Sequence, residues 1–216
     1  MALTLQFHSG RGRVEIAAMT YDLALALIGF AFVSSITPGP NNLMLMASGA
    51  NFGLTRTVPH MLGVSFGHAF LVLLVGLGLA ELFQSLPWLR RAMMALSAGY
   101  LLFLAWKIAN AAAPGEGRVS GNPLTFLQAA AFQWVNPKAI YMGITAQTYY
   151  APGGGGWIGA AWVAGLFLCT NLPSVSVWAW GGTQVRRWLS DQRRLRMFNW
   201  TMAALLVLTL VPILRG

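Results

Sequence analysis

The stretch 37–42, with the sequence TPGPNN, constrains the fold of this chain more than any other segment, because it interrupts an apolar run from about residue 22 to residue 50. Each proline removes a backbone donor, and its ring clashes with the carbonyl four residues earlier, so a continuous helix is excluded here. Inside a bilayer, backbone freed in this way is tolerated only where it is buried in protein or lines a wet cavity. Broken helices of this kind build the substrate sites of many transporters. We therefore predict that this break forms one half of a transport site.

The composition indicates a membrane protein. Of the 216 residues, 56% are hydrophobic and 9% are charged, whereas soluble domains carry about 25% charged residues. The predicted fold class is therefore an all-α integral membrane protein. The net charge of +9 would suit nucleic acid, but the basic residues flank apolar segments, as the positive-inside rule describes. The single cysteine, Cys169, provides neither a disulfide framework nor a cysteine metal site, and we expect no nucleic acid, metal or cofactor.

Six apolar segments meet or approach the roughly 20 helical residues that a hydrocarbon core of about 30 Å requires. They cover approximately residues 22–50, 61–82, 92–109, 123–150, 157–181 and 198–214. The first is broken at Pro38 and the fourth at Pro137. These prolines are 99 residues apart, which is half of the 198 residues from Met19 to the end. In the second segment, Gly63 and Gly67 form a pair of small residues one turn apart that permits close helix approach.

The two breaks predict a 3+3 inverted repeat of six transmembrane helices in which helices 1 and 4 are broken. An odd number of spans per half forces the halves into opposite orientations, and sites are expected where the broken helices meet. We assign residues 19–216 to one transporter domain, with halves at about 19–110 and 122–216. Residues 1–18 contain no apolar core, and we expect a disordered extension or an upstream start codon there.

The distribution of Lys and Arg predicts the orientation. One set of loops, with its flanks, carries eight of these residues, and the opposite side carries five. Cytoplasmic loops carry the excess of positive charge, so the side with eight is expected to be cytoplasmic and both termini periplasmic.

The first break is a candidate binding site for a carboxylate. Pro38, Gly39 and Pro40 interrupt the helix, and the half-helix that follows presents unpaired N–H groups with about half a positive charge. The side chains of Asn41 and Asn42 add neutral hydrogen-bonding groups. The alternative is a simple proline kink in which the asparagines cap the second half-helix.

The second break carries a charge. Asn136 and Pro137 precede Lys138, and a lysine near the centre of a span costs about 2.5–3.5 kcal/mol on insertion scales. No acidic residue lies deep in the spans. Lys138 therefore faces water, donates to carbonyls freed by Pro137, or binds the negative charge of a substrate. A lysine satisfied by carbonyls would be purely structural.

Two further spans carry inward-facing polar residues. Thr170, Asn171 and Ser174 surround Pro173 in the fifth span, and a face this polar should point into the bundle. It either lines the pathway or holds helices together, and we include Asn171 among the candidate substrate-binding residues. His68 in the second span either relays protons or is a hydrogen-bonded packing residue.

Several motifs resemble the LysE/RhtB family of bacterial amino-acid exporters. They are SITPGPNNLMLMASGANFG, the helix with Gly63 and Gly67, AGYLLFLAWKIA and FQWVNPKAIYMG. The resemblance covers the chain from Met19 to the end. It implies six spans, a multi-pass bacterial inner-membrane location and efflux of small amino acids or derivatives driven by the proton-motive force. The positions that match the family motifs are Pro38, Gly39, Pro40, Asn41, Asn42, Asn136, Pro137 and Lys138. The LAWKIA ending and the spacing between the halves look closest to the cysteine and O-acetylserine exporter branch.

The expected mechanism is alternating access. The carboxylate of the substrate is expected at the two breaks, and its ammonium at freed carbonyls or asparagine oxygens. Since no carboxylate lies deep in the spans, a neutral amino acid fits better than lysine or arginine. The expected partners are a small amino acid, protons and the lipid bilayer, and a homo-oligomer is possible.

Two rival functions are weaker. A divalent-metal exporter needs carboxylate, imidazole or thiolate ligands, and the span interiors offer only His68 and Cys169. An intramembrane enzyme would need a nucleophile and a base, such as Ser65 and His68, but nothing orients that histidine or forms an oxyanion hole. We predict a transporter and no enzyme.

Overall fold

A computed structural model describes residues 21–79, 81, 85–111, 122–152, 156–189 and 191–211 of the chain. The predicted N-terminal extension, residues 1–18, lies outside these residues. The described part is helical, and its eight α-helices are α1 (Tyr21–Ile36), α2 (Pro40–Phe52), α3 (Leu54–Leu74), α4 (Pro87–Ala109), α5 (Phe126–Phe132), α6 (Pro137–Tyr150), α7 (Gly156–Trp188) and α8 (Gln192–Leu208). A π-helical turn, Val75–Leu79, continues α3.

The first predicted break is confirmed. Helices α1 and α2 are separated by three residues and bent by 55°. Pro40 occupies the first turn of α2, where its missing N–H costs nothing. Gly39 precedes it with an extended backbone, φ −177° and ψ 177°. The position before a proline disfavours helical angles, which is why the chain straightens here.

The second predicted break is also present, between α5 and α6. Thr125 begins α5 with a reciprocal capping box to Gln128. Pro137 lies in the first turn of α6, and the Asn136 side-chain oxygen accepts from the backbone N–H of Lys138 at 3.2 Å. Each break therefore leads into a helix that begins with proline.

Three helical segments of the described chain are long and apolar enough to cross a membrane: Leu54–Leu79, Arg91–Ala109 and Gly156–Trp188. The bent pair Tyr21–Ile36 and Pro40–Phe52 makes a fourth span when counted as one. The all-helical membrane fold is thus confirmed. The six-span 3+3 arrangement stays a prediction.

Helix α7 is longer than the sequence pattern predicts. The predicted span ends near residue 181, whereas the helix continues to Trp188 and has 33 residues, a length of about 50 Å at 1.5 Å per residue. No proline follows residue 181 before this end. Arg186 and Arg187 lie in the last turn, where the negative end of the helix dipole stabilises a positive charge.

Helices from one half of the chain pack against helices from the other half. Helices α1 and α2 pack against α7, whereas α5 and α6 pack against α3. Helix α4 packs against α8, and α3 against α7. Each broken helix therefore lies on the long helix of the opposite half. Such an arrangement is what an inverted repeat would produce.

Glycines allow two of these crossings to be very close. A Cβ added at Gly182 of α7 would overlap the carbonyl oxygen of Met46, and one at Gly49 of α2 would overlap that of Ala179. At the α3–α5 crossing, Cβ atoms at Gly63 and Gly67 would overlap the backbone of α5. The predicted close approach at Gly63 and Gly67 is therefore confirmed.

The outer surface of the bundle is apolar, as a lipid-facing surface should be. Trp88, Trp157 and Trp188 are exposed, and tryptophan is enriched at membrane interfaces. Tyr150 is instead half-buried and stacks on Phe30 with a 5.4 Å ring separation.

Replacing Gly182 with alanine should destabilise the α2–α7 crossing. Overpacking of this kind costs about 1–3 kcal/mol, and a melting temperature lowered by roughly 3–10 °C is expected. The neighbouring Gly181 is the matched control, because a Cβ there meets nothing within 4 Å. Gly181→Ala should leave the melting temperature in detergent unchanged or raise it, since alanine favours helix over glycine. Equal melting temperatures for the two variants would contradict the close crossing.

Candidate functional site

The two breaks are joined by a reciprocal pair of amide hydrogen bonds. Asn41 Nδ2 donates to Gln133 Oε1 at 2.8 Å, and Gln133 Nε2 donates to Asn41 Oδ1 at 3.2 Å. Gln133 is fully buried, and its Nε2 also donates to the carbonyl of Ala129 at 2.8 Å. The pair thus ties the start of α2 to the end of α5, and it brings the two predicted half-sites together.

Lys138 crosses from the second break to the first. Its Nζ donates to the carbonyl of Thr37 at 2.8 Å, to Thr37 Oγ1 at 3.1 Å and to the carbonyl of Pro38 at 3.3 Å. The end of α1 has carbonyls without helical partners and the negative end of a helix dipole, which both favour an ammonium. Of the three alternatives for Lys138, donation to the carbonyls freed by Pro137 is therefore corrected. The carbonyls come from the opposite break.

Gly39 is small because Lys138 lies against it. A Cβ at Gly39 would come within 2.9 Å of Lys138 Cδ and 3.0 Å of its Nζ. The extended backbone of Gly39 suits any residue, so the requirement is for space and not for a glycine conformation.

Side chains also satisfy the remaining carbonyls at the end of α1. Asn42 Nδ2 donates to the carbonyls of Ser35 and Thr37, both at 2.8 Å. Trp178 Nε1 of α7 donates to the carbonyl of Ile36 at 2.9 Å. Asn42 therefore caps the first half-helix, whereas the kink alternative had both asparagines capping the second.

Asn171 joins three helices. Its Nδ2 donates to Ser35 Oγ at 3.1 Å, and its Oδ1 accepts from Ser65 Oγ at 3.0 Å. The Ser65 hydroxyl thus donates to the Asn171 amide oxygen of α7. The rival enzyme would instead require that it donate to His68. Thr170 and Ser174 donate to carbonyls of their own helix.

A small polar cavity lies among these residues. Its volume is about 20 Å³, which is enough for roughly one water molecule. It is lined by Ser34, Ser35, Gly39, Asn41, Asn42, His68, Asn136, Lys138, Ala139, Met142, Asn171 and Val175. We call it the polar cavity. His68 is 2% exposed, its Nε2 has no hydrogen-bond partner, and its ring meets Phe167 at 5.1 Å between centroids.

A second and much larger space lies on the other side of Lys138. This apolar pocket has a volume of about 850 Å³, within the usual range for small-molecule sites. It is lined by Pro38, Gly39, Pro40, Leu43, Met46, Asn136, Pro137, Lys138, Tyr141, Trp178, Met202, Leu205, Leu208 and Thr209. Every predicted site residue lines the polar cavity, the apolar pocket or both.

Three residues line both spaces and separate them: Gly39, Asn136 and Lys138. We call these three residues the partition. The Lys138 side chain closes the partition, because hydrogen bonds hold its ammonium at Thr37 and Pro38. A movement of this side chain would change the connection between the polar cavity and the apolar pocket.

Sequence reasoning missed Gln133, Thr37 and Trp178. Gln133 begins the QWVNPK interruption, and a buried amide in a break requires partners, which was the available signal. The role of Thr37 follows only from the approach of Lys138. Nothing in the local pattern identifies Trp178, because its partner at Ile36 lies 142 residues away.

A third cavity, of about 50 Å³, lies away from the breaks at the other end of α2. His60 and Lys107 line it, and both ring nitrogens of His60 are buried without a partner. Nearby, Asn51 and Asn199 form a second reciprocal amide pair, at 2.7 and 3.0 Å.

Metal ligands do not converge in the part of the chain that the structure describes, where no group of three His, Cys, Asp or Glu side chains is close enough to hold an ion. His68 is buried, whereas Cys169 is exposed.

A sequence model of the LysE type translocator family matches residues 17–214. The chain belongs to the LysE type translocator family. Among similar proteins is the cysteine/O-acetylserine efflux protein of Klebsiella pneumoniae, 31% identical over 197 residues, which are 90% of this chain and 98% of that protein. Those of Escherichia coli K12 and Salmonella typhi are each 32% identical, over 62% of this chain and 69% of theirs. No solved structure matches the chain. Family membership indicates a membrane transporter and not an enzyme.

In this LysE-family chain, the Asn41–Gln133 pair should be energetically coupled. Asn41→Ala leaves Oε1 of the buried Gln133 without this partner, and Gln133→Ala does the same to the half-buried Asn41 amide, at a cost of about 1–3 kcal/mol. The double variant should lose less than the sum of the two, with a coupling of about 0.5–3 kcal/mol. Thermal unfolding of the four proteins in detergent measures it. Gln184→Ala is the control, because its side chain bonds only the adjacent Thr183, and it should change little. Additive losses would contradict the pairing.

Proposed function

We propose that this protein exports small neutral amino acids or their derivatives across the bacterial inner membrane, by alternating access driven by the proton-motive force. Cysteine and O-acetylserine, named for its relatives, are the first substrates to test. The observation that carries the proposal is the partition, in which an ammonium from one break seals the carbonyls of the other.

The carboxylate of the substrate would bind between Lys138 and the start of α2. The first backbone hydrogen bond within α2 is from Leu43 to Gly39, at 3.0 Å, so the N–H groups of Asn41 and Asn42 precede the helical pattern. These N–H groups lie at the positive end of the helix dipole. A carboxylate here would be met by two backbone donors and by the ammonium of Lys138.

The ammonium of the substrate would take the place of Lys138. The carbonyls of Thr37 and Pro38 already bind an ammonium, that of Lys138, and the α-ammonium of an amino acid is the same chemical group. When Lys138 turns toward the substrate carboxylate, these carbonyls become free for the substrate ammonium. The ammonium of a zwitterion thus replaces Lys138 at these carbonyls, and its carboxylate becomes the new partner of Lys138.

The sizes of the two spaces support a closed partition in this conformation. The apolar pocket, at about 850 Å³, has room for an amino acid, whereas the polar cavity, at about 20 Å³, does not. Transport therefore requires that the half-helices move apart at the breaks. Motion of this kind about discontinuous helices is a recurring form of alternating access.

The charges of the lining support a neutral substrate. Among the described residues, no acidic side chain lines the polar cavity or the apolar pocket, so a second positive charge on the substrate would meet Lys138 without compensation. The divalent-metal exporter remains the alternative, and the scattered ligands in the described residues make it the weaker one.

Lys138→Ala should reduce amino-acid efflux at least tenfold, because it removes the charge that meets the carboxylate. The assay uses cells preloaded with a labelled amino-acid mixture and compares proteins at equal membrane abundance. Lys107→Ala is the matched control, since Lys107 is also half-buried and lines a cavity, but one that contains neither break. It should keep most of the parent rate.

Efflux by Lys138→Ala at the parent rate would make Lys138 a structural charge only. If the parent protein exports no amino acid, the proposed function is wrong, and vesicle flux of cadmium or manganese would test the metal alternative.

We also propose that both termini are periplasmic, from the Lys and Arg distribution, and that the six predicted spans all cross the membrane. A C-terminal fusion to alkaline phosphatase, active only outside the cytoplasm, should be active. A fusion to green fluorescent protein should be dark, because this protein does not become fluorescent when the general secretion pathway carries it out of the cytoplasm. The opposite pattern would reverse the orientation. A homo-oligomer stays a prediction.

A further inference from the structure

We propose that His68 is the group that binds the coupling proton, at the polar cavity between the two breaks. This inference rests on the proposed function, because it assigns the proton step of the same transport cycle.

The position of His68 is the first support. It lies in the middle of α3, is 2% exposed, and shares the polar cavity with Lys138 and Asn171. Its Nε2 has no hydrogen-bond partner, although buried polar groups are nearly always paired. The His68 side chain lines a cavity with room for about one water, and a water there would carry a proton to the imidazole.

The other titratable groups fit the role less well. Lys138 donates to three oxygen acceptors, so its nitrogen, unlike Nε2 of His68, already has hydrogen-bond partners. The acidic residues of the described chain, Asp22, Glu81 and Asp191, are all exposed and line neither the polar cavity nor the apolar pocket.

The elements packed against α3 bring one further titratable group to the polar cavity. Helix α6 contributes Lys138, whereas α2 and α7 contribute the amides of Asn41, Asn42 and Asn171 and the apolar Val175. Helix α7 also places the ring of Phe167 against His68, and α5 contributes no lining residue. The charge state of the cavity is therefore set by His68 and Lys138.

Electrostatic repulsion between these two groups would link the proton to the substrate. When His68 is protonated, its positive charge disfavours the movement of the Lys138 ammonium into the polar cavity. Lys138 then stays on the carbonyls of Thr37 and Pro38, and the partition is closed. When His68 is neutral, Lys138 is free to turn toward the carboxylate of a substrate that enters as the half-helices move apart. Proton and substrate thus exclude one another, which is the condition for exchanging an outgoing amino acid for an incoming proton.

The test is His68→Gln in proteoliposomes. Glutamine keeps a donor and an acceptor but does not titrate. Two rates are compared with those of the parent. One is the exchange of labelled for unlabelled cysteine or O-acetylserine at equal concentrations, and the other is accumulation driven by a pH gradient. Exchange should stay within about threefold of the parent rate, and gradient-driven accumulation should fall at least tenfold.

His60→Gln is the matched control. His60 is also buried, lies on the same helix and has unpaired ring nitrogens, but it lines a cavity away from the breaks. It should keep both rates. Where His68→Gln lowers the amount of folded protein, His68→Asn, which is smaller than histidine, replaces it.

The outcomes separate this inference from the proposed function. If the parent exchanges substrate and His68→Gln accumulates it as the parent does, the assignment of His68 is overturned. It is also overturned if His60→Gln loses accumulation equally, or if His68→Gln loses exchange as well. Absence of exchange by the parent would instead remove the proposed function, and the proton assignment with it.

Discussion

The interaction on which the site depends is the satisfaction of backbone carbonyls at the end of a helix that stops inside the bundle. Four consecutive carbonyls, from residue 35 to residue 38, accept hydrogen bonds from side chains: Asn42, Trp178 and Lys138 are the donors. Without water, each unpaired carbonyl would cost several kcal/mol. The break is therefore stable only because three other segments of the chain converge on it. The same requirement places the half-buried Lys138 at the break, where no acidic side chain of the described residues pairs with it.

The rest of the fold brings those segments together. Close crossings at Gly182 and Gly67 press the backbones of opposite halves against each other, which leaves little freedom for the long helices to slide. The ends of the half-helices, in contrast, are joined by side-chain hydrogen bonds at Asn41, Gln133 and Lys138. Because the helix crossings are close and the breaks are joined by side chains, we expect motion to occur at the partition. The proposed cycle uses this contrast, because it requires that the Lys138 side chain turn and that the half-helices move apart at the breaks.

Much of the fold was predictable from local pattern. Proline rings clash with the preceding turn wherever they occur in a helix, so Pro40 and Pro137 mark the starts of half-helices without any tertiary information. Long apolar segments predict the spans for the same reason. The end of α7 was misplaced because charged side chains near residue 186 resemble a loop, although they are compatible with a helix C-terminus. The pairing of Asn41 with Gln133 was not predictable, since an amide finds its partner by proximity and carries no signal of its own.

The sequence by itself determined that this chain is a helical membrane protein of the LysE type, with two breaks and a lysine at one of them. These properties follow from hydropathy, proline geometry and motif, which act within a few residues. Only the tertiary structure decided that Lys138 donates to Thr37 and Pro38, 101 and 100 residues away, and that Asn42 caps the helix before it. It also decided that His68, and not His60, shares a cavity with the breaks. The physical reason is that hydrogen bonds between distant segments depend on which helices cross, and the crossings depend on contacts that no local pattern encodes.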